Sequence, residues 1–315
     1  QGDLETAFKL VDEAKIAGVD AVKFQKRDNK KLFTKEMYFS EYSSENAFAP
    51  TYGEHRDKLE LKKDEFEKLK KYCDSKNIIF FATPFDTPSL DFLEKLDCPF
   101  YKIASADHEN LLFLRDIAKL NKPIILSTGG GTFETIQRAF DTINKFHNKL
   151  AILQCTASYP CKPEEMNLNV ISTLRDKYPK NIIGLSDHQN GISMALVAFT
   201  LGARVIEKHF TLDRSLKGTD HKFSLEPQGL KKLVRDLERA QLALGSPVKK
   251  IVKSEINPIK KMGKKLVASR DLEKGTIIQI DCINLKSPQD GLSASYIDKI
   301  IGKKINKDLK EEEDF

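Results

Sequence analysis

No run of 18 or more apolar residues occurs in this chain of 315, which leaves no candidate for a membrane-spanning helix. The opening QGDLETAFKL has neither a basic start nor an apolar core, so it does not read as a signal peptide. The five cysteines (Cys73, Cys98, Cys155, Cys161 and Cys282) form no CxxC pair and no zinc spacing. An odd, scattered set of this kind fits reduced thiols in a cytoplasm. The net charge of +6 is spread over Lys-rich segments and makes no dense basic stripe. That argues against a nucleic-acid partner and leaves room for small anionic substrates. There is no Walker-type phosphate-loop signature, and no internal repeat beyond the βα unit.

What is present is a series of short β-type runs, each ending near Gly, Ser, Thr or Pro. They are DAVKFQ (20–25), IIFFATPF (78–85), PFYKIAS (99–105), PIILSTG (123–129), LAILQCT (150–156), NIIGLSD (181–187) and RVIEKHF (204–210). Amphipathic helical patterns such as ENLLFLRDIAKL and GISMALVAFTLG lie between most of them. Strands and helices alternating at this spacing predict parallel βαβ units, and seven strands fall one short of a (β/α)₈ TIM barrel. The chain opens on a capped amphipathic helix, so the expectation is an α/β barrel whose first strand is missing from this chain. Residues 1–245 read as the barrel, and 246–261, basic and aperiodic, as a linker. Residues 262–315 read as a small β-rich module with a frayed acidic end.

Chemistry on such a barrel sits at the C-terminal ends of the strands. Here these ends carry Lys23 and Gln25, Thr83, Lys102 and Ser105, Ser127, Gln154, Ser186 with Asp187 and His188, and Glu207 with His209. Residues i and i+2 share a strand face, so Lys23 points with Gln25, and Glu207 with His209, into one mouth, while Lys208 points away. Lysines and hydroxyls gathered there predict a phosphorylated or carboxylated substrate. His188 and His209 end consecutive strands and can share a divalent cation such as Mn²⁺; the alternative for each alone is a structural core histidine. Gly129-Gly130-Gly131 reads equally as an anion-binding turn or a plain tight βα turn. His55 and His221 lie in loops that could reach the mouth.

The ordered motifs DAVKFQ, ATPFD, YKIAS, ILSTG, CTASYP, GLSDH, IEKHFT and GTDHKFSLEP resemble those of the sialic acid synthase family, whose products include N-acetylneuraminate, legionaminate and pseudaminate. The stretch KLVASRDLEKGTII with KSPQDGLS and IIGKKI resembles that family's antifreeze-like (SAF) module. The resemblance spans essentially the whole chain. It implies a cytoplasmic, domain-swapped homodimer, each module covering the partner's barrel. It also implies condensation of phosphoenolpyruvate with an open-chain acetamido sugar, with C–O cleavage, aided by Mn²⁺ (alternatively Mg²⁺ or Co²⁺). Carried over by motif, His188 and His209 hold the metal. Lys102, Ser105, Thr83, Ser127 and Ser186 hold phosphate, and Lys23 the carboxylate. Gln25, Tyr159, Glu207 and Asp220 surround metal and sugar, and Asp107 handles protons. Lys23 and Glu207 join Asp107 as the catalytic set.

Three departures from the family pattern stand out. Only Gln1-Gly2-Asp3 remains of the opening strand and its turn; Ala157 replaces an Asn found in some members; and Ser287-Pro288 stands where others have Arg-Pro. The loop TYGEHR, with Tyr52, His55 and Arg56, is expected to supply sugar contacts instead. Two further readings remain beside this one. A synthase for phosphorylated sugars needs a second phosphate site, which the sequence does not reveal. A non-catalytic sugar- or anion-binding protein, or an ice-binding module, fits poorly with intact polar strand ends and a Lys-rich rather than Thr-rich module.

Overall fold

The computed structural model describes residues 2–315. Its chain divides into one compact unit up to Leu244 and a second over Gly245–Phe315. The larger unit holds seven parallel strands in chain order: β1 (Ala21–Lys26), β2 (Ile79–Pro84), β3 (Tyr101–Ile103), β4 (Ile124–Ser127), β5 (Leu150–Cys155), β6 (Ile182–Asp187) and β7 (Val205–Lys208). All seven match the runs read from sequence. Each strand pairs with the next, so β1 and β7 are the two edges of a curled half-barrel. No eighth parallel strand joins them among the described residues.

Helices alternate with the strands because their apolar positions recur at helical spacing and their starts are capped. In the first helix, Leu4–Ala17, the Asp3 carboxylate accepts the Thr6 N–H, and Gly18 ends it in the left-handed region that glycine tolerates. Ala7, Val11, Ala14 and Ala17 form its buried stripe. Helix Leu111–Lys119 buries Phe113, Leu114, Ile117 and Ala118 in the same way. Strands β2 and β5 are covered on both faces, which is why they read as nearly unbroken apolar runs. One cap also positions the site. Asp86 Oδ1 accepts the Ser89 N–H at the start of helix Thr87–Lys95, while its Oδ2 accepts the Asp28 N–H. A single carboxylate thus fastens the loop after β1 to the end of β2.

The second unit contains an antiparallel pair, β8 (Lys265–Ala268) and β9 (Ile283–Lys286), over a small core of Ala268, Leu272, Ile278, Cys282, Ile305 and Leu309. One sequence expectation gains detail here and another fails. The stretch 246–261 is not wholly irregular, because helix Ile256–Met262 begins inside it, with Pro258 in the first turn where its missing N–H costs nothing. The acidic end is not frayed either. Val267 bridges Asp314, the Ala268 N–H donates to the Glu313 carbonyl, and Lys265 pairs with Asp314 at 2.9 Å. The unpaired edge of β8 is what captures it.

Candidate active site

Because all seven strands are parallel, their C-terminal ends open at one rim. The register β6–β7 sets Ser186 opposite Glu207, and β1–β2 sets Gln25 opposite Thr83. Glu207 is the hub. Its Oε1 accepts a hydrogen bond from Ser186 Oγ at 2.8 Å and lies 3.9 Å from Lys102 Nζ; its Oε2 lies 3.9 Å from Lys23 Nζ. Burial alone would push the Glu207 carboxyl up, but the two ammoniums and the Ser186 hydroxyl pull it down to about 2. Burial pulls Lys102, only 3% exposed, down to about 8, with Glu207 opposing. Two ammoniums against one carboxylate leave one positive charge without a counter-charge.

Hydroxyls stand at the ends of the neighbouring strands. Ser127 Oγ is buried with no hydrogen-bond partner among the described residues. Ser105 Oγ accepts the Gly129 N–H at 2.9 Å and contacts Cys155 Sγ at 3.3 Å. Gly131 N–H bonds back to the Thr128 carbonyl, so of the three glycines one N–H closes the turn itself and one serves Ser105. Thr83 is buried beside this set by strand register. Asp107, in the short turn Ser105–Asp107, is raised above the ordinary carboxyl range by burial, against the Asn110 amide and the Arg27 charge.

The two imidazoles meet. Ring centroids of His188 and His209 lie 5.1 Å apart, and Tyr159 packs 4.2 Å from His188. His188 Nδ1 lies 3.0 Å from the Thr156 carbonyl, which assigns the proton to Nδ1 and the lone pair to Nε2. His209 Nδ1 lies 3.4 Å from Asp220 Oδ2. Burial acts upward on Asp220, but His209, the Thr219 hydroxyl and the Arg56 charge together hold the carboxyl below its ordinary value. Imidazoles steadied at Nδ1 by oxygen and free at Nε2 fit a divalent cation. Among the described residues no three His, Cys, Asp or Glu side chains form a cage, so a cation would complete its shell with water and substrate oxygens.

A cavity of about 920 Å³ lies along the β1 and β7 edges, lined by Lys23, Gln25, Glu207, His209 and Asp220 together with Arg27 and Arg56. The TYGEHR stretch is not the expected loop but the start of helix Tyr52–Leu59, capped by Thr51, and only Arg56 of it reaches the cavity. His55 is enclosed by Tyr42 and Phe48 and takes the Phe48 N–H on Nδ1, so the expectation that it reaches the mouth fails; aromatic packing claims the ring. Tyr52 holds Arg56 Nε through its hydroxyl at 3.1 Å, and His221 is buried against Thr211.

Three residues at this rim escaped the sequence reading. Arg27 continues the face of Lys23 and Gln25 by the same period of two, and its Nη2 donates to Gln25 Oε1 at 2.6 Å. Cysteine spacing carries no signal for Cys155. Burial pushes its thiol up, but His188, Ser105 and Lys102 outweigh that and leave it below its ordinary value. Buried His108 bridges the Ser105 carbonyl at 2.6 Å and Thr135 Oγ1 at 3.0 Å, holding the Ser105 turn in place.

Comparison with known proteins places the whole chain among relatives. The NeuB family is matched over residues 10–249 and the SAF domain over 265–313. The N,N'-diacetyllegionaminic acid synthase of Campylobacter jejuni is 40% identical, covering 99% of this chain and 94% of that protein. The human N-acetylneuraminate-9-phosphate synthase is 36% identical over 97% of this chain and 85% of that protein. A crystal structure of N-acetylneuraminic acid synthetase from Leptospira borgpetersenii, in complex with citrate, superposes with a TM-score of 0.71 at 36% identity. It covers 82% of this chain and 86% of that one.

Proposed function

The chain belongs to the NeuB family, and on that premise we propose that it condenses phosphoenolpyruvate with an open-chain N-acetylated amino sugar, giving a nonulosonic acid and phosphate. The observation that carries this reading is the uncompensated positive charge of Lys23 and Lys102 around Glu207, with the orphaned Ser127 hydroxyl in the same ring of strand ends. A phosphorylated carboxylate supplies both the missing charge and the missing acceptor.

In this reading Lys102, Ser105, Thr83, Ser127 and Ser186 hold the phosphate and Lys23 the carboxylate. Gln25, Tyr159, Glu207 and Asp220 orient the sugar so that C3 of phosphoenolpyruvate meets the aldehyde carbon. His188 and His209 would hold Mn²⁺ (or Mg²⁺ or Co²⁺), which when bound polarises a carbonyl as a Lewis acid. The C2=C3 electron pair of phosphoenolpyruvate forms the C–C bond as the aldehyde π pair moves onto its oxygen, which takes a proton. Water adds to the C2 cation with loss of a proton to Asp107. The C2–O bond then breaks with its electrons leaving on phosphate, while the C2 hydroxyl gives up its proton to become the ketone. A carboxyl raised by burial is suited to take that proton and return it. The reading includes a homodimer in which each SAF module covers the partner's barrel. No described helix is long and apolar enough to cross a membrane.

Phosphate release from phosphoenolpyruvate, measured with a panel of acetamido sugars with and without Mn²⁺, tests the proposal. Sugar-dependent and Mn²⁺-dependent release is expected. Release without sugar, or none with any sugar, overturns it.

One observation favours a phosphorylated sugar over N-acetylmannosamine or a 2,4-diacetamido-trideoxyhexose. Arg27 and Arg56 line the same cavity; Glu60 Oε1 lies 3.5 Å from Arg27 Nη1 and answers that charge, while Arg56 makes no ion pair among the described residues. Arg56 uses Nε on Tyr52, and its two Nη groups have no hydrogen bond among the described residues. A guanidinium that faces a cavity without an acidic partner suits a phosphate. Phosphoenolpyruvate contributes three carbons, so C6 of a hexose becomes C9 of the product. The 9-phosphate named for the human relative therefore corresponds to a sugar 6-phosphate. N-acetylmannosamine 6-phosphate is expected to outpace its unphosphorylated form, and Arg56→Ala to remove most of that preference. An equal rate for both sugars in the unmutated protein refutes this reading and leaves the synthase proposal standing.

A further inference from the structure

The residues immediately before the two histidines form an ion pair that the reaction does not use. Lys208 Nζ lies 2.9 Å from Asp187 Oδ2, with side chains 3% and 0% exposed. The same ammonium donates to the Gln189 carbonyl at 2.5 Å, and Asp187 Oδ1 accepts the Gln189 N–H at 2.8 Å. His188 is therefore bracketed, its preceding side chain and its following carbonyl both held by one lysine.

Strand alternation explains the placement. Ser186 and Glu207 face inward and Asp187 and Lys208 outward, and the register pairs Ser186 with Glu207 and Asp187 with Lys208. The ends of β6 and β7 are thus joined on both faces just before His188 and His209 emerge. A fully buried ion pair contributes little net stability, because desolvating both charges offsets their attraction; apolar residues of similar volume often serve as well. Its value lies in geometry that an apolar contact leaves loose.

We propose that Asp187 and Lys208 are a positioning pair that fixes the His188 and His209 imidazoles at the separation needed to grip one divalent cation. The proposal rests on the reading of these histidines as the cation's ligands.

The test is Mn²⁺ binding to the full chain, read by electron paramagnetic resonance of free Mn²⁺, with melting temperature and circular dichroism as controls. The paired replacement Asp187→Leu with Lys208→Met is expected to fold with a melting temperature near the unmutated value and to bind Mn²⁺ about 10- to 100-fold more weakly. Its kcat should fall while its KM for phosphoenolpyruvate, held by Lys102 and its neighbours, stays put. Lys208→Arg, which keeps a cation opposite Asp187, should retain most of the Mn²⁺ affinity. Should the paired replacement not fold, Asp187→Asn keeps the shape and the Gln189 contact; it leaves the Lys208 ammonium buried without its counter-charge, so a lower melting temperature is expected together with weaker Mn²⁺ binding by the folded protein. Unchanged Mn²⁺ affinity in a folded paired variant, or in Asp187→Asn, overturns the positioning role. An unmutated protein that binds no Mn²⁺ overturns the two-histidine reading itself and the positioning role with it.

Discussion

Replacing Glu207 with Gln removes the one negative charge between Lys23 and Lys102 while keeping the side chain's shape. Each ammonium lies 3.9 Å from a carboxylate oxygen. At an effective dielectric constant of about 20, a unit pair at that distance interacts by about 4 kcal/mol. That corresponds to about three pKa units at about 1.4 kcal/mol each. Lys102 starts at about 8 because burial has already pulled it down. In the unmutated protein kcat/KM for phosphoenolpyruvate should fall above about pH 8 as Lys102 loses its proton. In Glu207→Gln that limb should move acid by about two to three pH units, with kcat/KM at pH 7.5 reduced about 100-fold and partly recovered near pH 5.5. The assay is phosphate release across pH. Stability runs the other way. The unfolded chain holds the Lys102 proton up to its ordinary value of 10.5 and the folded chain releases it near 8, so this lysine makes the fold more stable as pH rises between the two. Lost activity above pH 8 with an unchanged or higher melting temperature is the expected pattern. A limb that stays in place in Glu207→Gln refutes the coupling.

Ser127→Ala removes a buried hydroxyl that has no partner. The melting temperature should hold or rise slightly, while KM for phosphoenolpyruvate rises about tenfold, the equivalent of one lost hydrogen bond to a charged group; destabilisation with unchanged KM would count against the phosphate cradle. His209→Ala should abolish Mn²⁺ binding and metal-dependent phosphate release and leave circular dichroism unchanged, since the ring sits at the half-open rim. Retained Mn²⁺ dependence in that variant would refute the ligand assignment.

The barrel was legible because each of its seven strands is a short apolar run closed by polar residues at the same end. Lys23, Glu207 and His209 were legible because period-two alternation turns consecutive charges to opposite faces. Arg27 obeys the same rule and was overlooked only because it lies one residue past β1. Other parts had no local signal. Cys155 meets Ser105 across 50 residues and with β4 between their strands, and Asp187 meets Lys208 across 21. Both contacts depend on strand register, which spacing along the chain does not reveal. The ordered acidic end depends likewise on a β8 edge that becomes available only once the module has folded.

The stretch RVIEKHFT concentrates this distinction in three residues. Glu207 and Lys208 are both largely buried charges on one strand, and each is answered by β6, through Ser186 inside and Asp187 outside. The outer pair closes to neutrality, with its ammonium and carboxylate also bonded to Gln189, so nothing further can bind there. The inner group does not close, since Glu207 answers two lysines and leaves one positive charge beside an unpartnered hydroxyl. Burial makes an unanswered charge costly. A fold that keeps one at the rim of its barrel, while neutralising the charge one residue away, separates the face that holds the scaffold from the face that awaits an anion.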